Sequence, residues 1–216
     1  MARIRGTQKA LELLAQMTTW IVDEPERYRG QWRTSFFQND HPLHIELGTG
    51  RGGFLLALAQ REKETNFIGI ERFAPVLAKA AKHAEETGAP NVAFLHEDVT
   101  RLPAFFSVGE VDRIYINFVD PWPKKRHAKR RLTHTNYLRL YKQILREGGS
   151  IVLKTDNEQL FEFSLNEFAE NRFQLRGITF DLHHSEFAAG NVITEYERRF
   201  IEQGKQIYRC EAIWEG

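Results

Sequence analysis

From residue 43 onward the apolar positions alternate between short continuous runs and stripes spaced three or four apart. The segment 43–47 is a run of strand length, and it ends at Gly48-Thr49-Gly50-Arg51-Gly52-Gly53. Phe54, Leu55, Leu58 and Ala59 then follow helical spacing. A second strand is predicted over 66–71, followed by a helical stripe through Phe73, Val76, Leu77, Ala80, Ala81 and Ala84 that Gly88 is placed to end. Strands follow over 91–95 and 111–118. A helix runs through Tyr137, Leu138, Tyr141, Ile144 and Leu145 and is expected to stop at Gly148-Gly149. A fifth strand over 151–155 precedes a helix marked by Leu160, Phe161, Leu165 and Phe168, and two strand-like segments, 174–182 and 206–212, close the chain. Strands alternating with helices predict an α/β fold with a mostly parallel sheet covered on both faces. Residues 1–40 carry Trp20, Trp32 and scattered cations without a clear period, and read as a partly helical arm ahead of a domain spanning 41–216.

Parallel sheets bind ligands at the carboxyl ends of their strands. The glycine turn, Glu71, Asp98, Asp120 and Asp156 all closely follow predicted strands, so they belong on one edge. Gly48, Gly50 and Gly53 match G-x-G-x-x-G, and the turn follows a strand and opens a helix, the context in which this pattern seats a nucleoside cofactor. Glu71, at the end of the next strand, stands where an acidic residue takes ribose hydroxyls. Glu46, two residues before the first glycine, is a poor neighbour for a pyrophosphate and a good one for a cation. S-adenosylmethionine has an ammonium, a sulfonium and no phosphate. Asp98 suits the adenine amino group or a local turn cap, and the sequence does not choose between them.

The bulk properties add limits. A chain of 216 residues accommodates one substantial domain with an arm, and no apolar run approaches the ~20 residues that span a bilayer. The start of the chain lacks the apolar stretch of a secretory signal. Cys210 is the only cysteine, which excludes an intramolecular disulfide and a cysteine-rich zinc site. His183 and His184 are adjacent and would face opposite ways on a strand, so no metal is expected. A cytoplasmic enzyme is the plain expectation, and whether it is a monomer or a homodimer is left open.

Net charge is only +1, but seven of the eight residues from Lys124 to Arg131 are Lys, Arg or His, which concentrates positive potential in one place. Directly before them stands Asp120-Pro121-Trp122-Pro123. Pro121 pushes Asp120 toward extended geometry, so its carboxylate is aimed from a stiff edge. Trp122 suits stacking on a base or anchoring the loop. Clustered cations grip phosphates by releasing counterions, independently of sequence. Downstream, Asp156 with Gln159 fits a helix capping box. The polar cluster Thr194-Glu195-Tyr196-Glu197 has no evident local structural role.

The set Ile45-Glu46-Leu47-Gly48-Thr49-Gly50, 66–71, Asp120-Pro121-Trp122-Pro123-Lys124-Lys125-Arg126-His127, Lys154-Thr155-Asp156-Asn157 and Thr194-Glu195-Tyr196-Glu197 resembles the bacterial tRNA (guanine-N7-)-methyltransferases, from about residue 30 to the C-terminus. The resemblance implies a Rossmann-like class I methyltransferase fold, a seven-stranded and mostly parallel sheet with an antiparallel last strand. It implies methyl transfer from S-adenosylmethionine to N7 of a tRNA guanine, the variable-loop guanosine, leaving S-adenosylhomocysteine. The expected cofactor residues are Glu46, Gly48, Gly50, Glu71, Asp98, Asn117 and Asp120, with Asp120 also the catalytic candidate. The expected tRNA contacts are Lys124, Lys125, Arg126, Lys129, Arg130, Asp156, Thr194, Glu195, Tyr196 and Glu197. Val119 stands where many members carry serine, and Ile193 where methionine is common. A nicotinamide dehydrogenase, a non-catalytic RNA-binding module and a methyltransferase for exocyclic amines are the competing readings.

Overall fold

In the computed structural model the backbone is described for residues 2–216, and the side chains for residues 7–194 and 196–216. Numbered in chain order, seven strands form one sheet in the order β3-β2-β1-β4-β5-β7-β6: β1 Leu43–Leu47, β2 Asn66–Ile70, β3 Val92–Leu95, β4 Val111–Asn117, β5 Leu145–Thr155, β6 Gln174–Thr179 and β7 Tyr208–Ile213. The chain divides into two compact units, Met1–Ser107 and Val108–Gly216.

The first unit holds β1, β2 and β3, paired in parallel with Leu47 beside Ile70 and Ile70 beside Leu95. Its helices are α1 (Ala2–Gln16), α2 (Gly53–Arg61), α3 (Ala74–Thr87) and the single turn α4 (Leu102–Phe105). Nearly every residue of the three strands is buried, as a parallel sheet with covered faces requires. The segment expected as an arm is packed into this unit. Ala10 and Leu14 are buried as α1 packs along α3, and Ile21 bridges in parallel to Phe94 of β3. Trp32 is fully buried among Tyr28, Phe36 and Phe106, and its indole N–H donates to the carbonyl of Phe105 at 2.9 Å.

The second unit holds β4, β5, β7 and β6 with α5 (Thr135–Ile144), α6 (Glu158–Glu170) and α7 (Glu195–Glu202). β4 and β5 are parallel, while β7 runs antiparallel to both β5 and β6, so the last strand in the chain is the reversed one. Three boundaries differ from the sequence expectation. α5 ends at Ile144, before Gly148-Gly149, because Leu145 already pairs with Val111. The glycines instead form the irregular start of β5, where a side chain on Gly149 would come within 2.8 Å of the Arg146 carbonyl oxygen. β6 ends at Thr179, so His183 and His184 sit on a short 3-10 turn and not on a strand. Cys210 is buried on β7, and burial pushes its thiol up to about 12.

Candidate functional site

Each unit gathers its candidate residues at the carboxyl ends of parallel strands. In the first unit, β1 runs into a turn in which Gly48, Gly50 and Gly52 all have positive φ, at 71°, 59° and 74°. The Ile70 carbonyl at the end of β2 accepts from the amides of Gly48 and Thr49, at 2.8 and 3.1 Å. Gly52, not Gly53, is the third specialised glycine. A Cβ there would lie 3.0 Å from the Ala80 Cβ and 3.1 Å from the Phe94 ring, whereas Gly53 opens α2 with nothing near it.

Glu46 is 3% exposed, and its Oε2 accepts from the Thr49 hydroxyl at 2.7 Å. A carboxyl group set this deep beside a glycine turn needs a polar partner, and the Thr49 hydroxyl is one. Glu71, after β2, brackets two loops: Oε2 accepts from the Gly50 amide at 3.3 Å and Oε1 from the Phe73 amide at 2.9 Å. Asp98, after β3, caps the following turn, its Oδ1 accepting from the Thr100 amide at 2.9 Å and the Thr100 hydroxyl at 2.7 Å. Partial burial acts to raise the Asp98 carboxyl. The two Thr100 hydrogen bonds and the charge of Arg72 outweigh it and hold the group below the usual carboxylate range. The cap reading of Asp98 is therefore present in the structure.

In the second unit, β4 ends at Asn117, which is buried and in register with Lys154 of β5. The chain then turns through Phe118, Val119, Asp120, Pro121 and Trp122. Phe118 and Trp122 have φ of +49° and +43°. Left-handed backbone at bulky residues costs about 1–3 kcal/mol each and persists only where surrounding structure enforces it. The corner is held at both ends. The Phe118 amide donates to the Lys154 carbonyl at 2.9 Å, and its ring lies 5.7 Å from that of Phe200 on α7. Beyond Asp120, the carbonyls of Pro121 and Trp122 accept from the Arg131 guanidinium: Nε to Pro121 at 3.1 Å and Nη2 to Trp122 at 3.1 Å. Asp120 itself is exposed.

Lys124, Lys125, Arg126, Lys129 and Arg130 are all exposed, the last four on a 3-10 helix over Lys125–Arg130. Arg131 ends the same charge run but is 7% exposed, so it is an internal tie and not a surface cation. The Trp122 ring is engaged inside the loop, with the Arg130 guanidinium 4.7 Å over it and the His127 ring edge-on at 5.7 Å, which is the anchoring arrangement.

Two downstream readings need correction. The cap of α6 is Asn157, whose Oδ1 accepts from the Leu160 amide at 2.8 Å, so the Asp156–Gln159 box does not form. Asp156 instead faces Lys205, with Nζ 3.2 Å from Oδ2. The Thr194–Glu197 cluster does have a local structural role. Thr194 caps α7 in a reciprocal box with Glu197, and both side chains are buried, at 7% and 0% exposure. Glu197 also receives the Lys154 ammonium at 2.8 Å and the Asn191 amide. The imidazole of His183 lies 3.2 Å from Glu197 but off a hydrogen-bonding direction. The Thr194 and Glu197 side chains are thus engaged inside the unit. Tyr196 is exposed, and the Glu195 side chain lies outside the described residues.

The structural roles of three residues escaped the sequence reading: Lys154, Arg131 and Phe118. The one available signal was Lys154, a lysine at the end of an apolar run, which needs an anionic partner when buried.

Parallel strands in this order with a reversed last strand, acidic residues at the ends of β1 and β2 and a glycine turn between strand and helix define a Rossmann-like class I methyltransferase. The 16S rRNA methyltransferase KamB shares this fold with a TM-score of 0.65 at 17% identity, over 91% of this chain and 95% of that one. A structure titled an antibiotic-related methyltransferase matches equally well, with a TM-score of 0.65 at 18% identity over 92% and 98%. Residues 40–210 match the family described as putative methyltransferases. The tRNA (guanine-N(7)-)-methyltransferase of Brevibacillus brevis is 49% identical over 97% of both chains, and that of Geobacillus kaustophilus 46% identical over 98% of this chain and 96% of its own. The chain belongs to the tRNA (guanine-N(7)-)-methyltransferase family.

Proposed function

We propose that this protein transfers a methyl group from S-adenosylmethionine to N7 of a guanine in tRNA, the variable-loop guanosine, in the cytoplasm. The observation that carries the reading is the exposed Asp120 carboxylate, set in an enforced corner immediately ahead of five exposed cations. Family membership supports it independently.

The residues of the first unit fit the cofactor. The buried Glu46 carboxylate favours a ligand with an ammonium. Glu71 offers acceptors for ribose hydroxyls, and the glycine turn allows close backbone approach with no phosphate to repel. When bound, S-adenosylmethionine supplies a methyl carbon on a sulfonium, and the carbon–sulfur bond breaks with its electron pair going to sulfur. Guanine N7 has a free lone pair at neutral pH, so no base is needed to create the nucleophile. Asp120 therefore acts by position and charge. Its carboxylate accepts hydrogen bonds from guanine N–H groups and stabilises the positive charge the base acquires. Alignment of the base contributes the remainder. Lys124, Lys125, Arg126, Lys129 and Arg130 grip the RNA backbone, and Tyr196 is an accessible contact on α7.

Methyl transfer to bulk tRNA followed by nucleoside mass analysis tests the reading. 7-Methylguanosine is the expected product. An N2-methylated base would move the enzyme to the exocyclic-amine class, and no methylated base would refute the proposal.

A further inference from the structure

The basic run divides in its surroundings between Arg130 and Arg131. Arg131 is 7% exposed although its five charged neighbours from Lys124 to Arg130 all face outward. Its guanidinium lies 4.4 Å over the ring of Phe163 on α6. It donates to two consecutive carbonyls, those of Pro121 and Trp122, the residues directly after Asp120. The second of these is the residue at φ +43°, and it precedes a proline, which narrows its backbone choices further. A planar fork matches two adjacent acceptors in a way an ammonium does not. With Phe118 tied to β5 on the other side, Val119-Asp120 lies between two held ends.

We propose that Arg131 is a positioning residue for the methyl transfer, holding the strained corner so that the Asp120 carboxylate is presented in one place, and that it takes no part in gripping phosphate. This rests on the function proposed above. Without the fork, the Trp122 backbone relaxes out of the left-handed region and Asp120 moves with it. A displacement of about 1 Å at a reacting group can lower a rate 100-fold. The exposed cations keep their charge, so RNA affinity is untouched.

The experiment compares Arg131→Lys and Arg131→Met with the wild-type protein in single-turnover methyl transfer, and measures tRNA Kd across a salt series. Expected is a fall of about 10- to 100-fold in the rate from bound complex, with tRNA Kd within about twofold and the salt slope unchanged, since no phosphate contact is lost. Arg131→Lys keeps the charge yet does not restore the rate. A salt slope that drops by about 1 with the rate of the bound complex retained would make Arg131 a phosphate contact and overturn the proposal. An unchanged rate in both variants would overturn it too. If Arg131→Met does not fold, Phe163→Leu, which removes only the face under the guanidinium, is expected to lower the rate in the same direction at constant Kd; no change there refutes the positioning role. Wild-type turnover in the same assay decides the enzymatic activity separately. Only the ratio of variant to wild type bears on Arg131.

Discussion

The glycine turn after β1 and the corner after β4 solve the same problem with opposite materials. Both take the chain sharply off a parallel strand through left-handed residues. The first uses Gly48, Gly50 and Gly52, for which that conformation carries no steric penalty. The second uses Phe118 and Trp122, for which it does, and depends on remote parts of its own unit to enforce it: Arg131, the Lys154 carbonyl and Phe200. A turn built from glycine is specified locally and leaves room for a ligand against the backbone. A corner built from aromatics is specified by tertiary structure and presents one side chain.

The largest effect that distinguishes them comes from the support of the corner. Glu197→Ala leaves the Lys154 ammonium buried without its carboxylate, and breaking a buried pair costs about 3–5 kcal/mol. Urea denaturation is the check, and a loss under about 1 kcal/mol would show that the pair does not hold α7. The double variant Lys154→Met with Glu197→Leu should recover most of the loss, because apolar replacement of both partners is often neutral.

Next is Asp120→Asn, with single-turnover transfer expected to fall about 100- to 1000-fold, the usual effect of losing one electrostatic contact to the transition state. Stability should barely change, since the side chain is exposed. A near-normal rate would remove Asp120 from the chemistry. In the glycine turn, Gly52→Ala combines a strained φ with contact to Ala80 and Phe94, for about 1–3 kcal/mol of destabilisation. Gly53→Ala, one residue on and facing open space, should be neutral. Equal losses at the two positions would contradict the assignment of Gly52 as the tight one. The smallest change belongs to the cations. Lys125→Ala with Arg126→Ala should flatten the salt dependence of tRNA binding by a slope of about 1.4–1.8, leaving stability unaltered. An unaltered slope would take the loop out of RNA binding.

The two regions also differ in how far the sequence discloses them. β1 is legible because its apolar run, glycine cluster and following helical stripe are contiguous, and Leu43–Leu47 is found as read. The corner is legible as a motif but not as a geometry. Nothing in the letters Phe118 or Trp122 announces positive φ, since the cause lies in Arg131 and Phe200. Arg131 looks like its neighbours in a charge run and differs only in what surrounds it. The Lys154–Glu197 pair spans 43 residues, so α7 and its capping box read as an isolated polar cluster. At α6 the error was one residue: Asp156 and Asn157 are both good caps, and hydrogen bonding of Asn157 to Thr155 and Leu160 settles the choice.

The enforced corner also bears on transplantation. A short string that carries an activity invites grafting onto another scaffold of the same fold. Copied alone, Asp120-Pro121-Trp122-Pro123 would relax to ordinary backbone angles and aim its carboxylate elsewhere. The smallest portable piece includes Phe118, the guanidinium of Arg131 with its seat on Phe163, and the helix that carries Phe200. The motif is therefore inherited as a piece of architecture, although it is written as four letters.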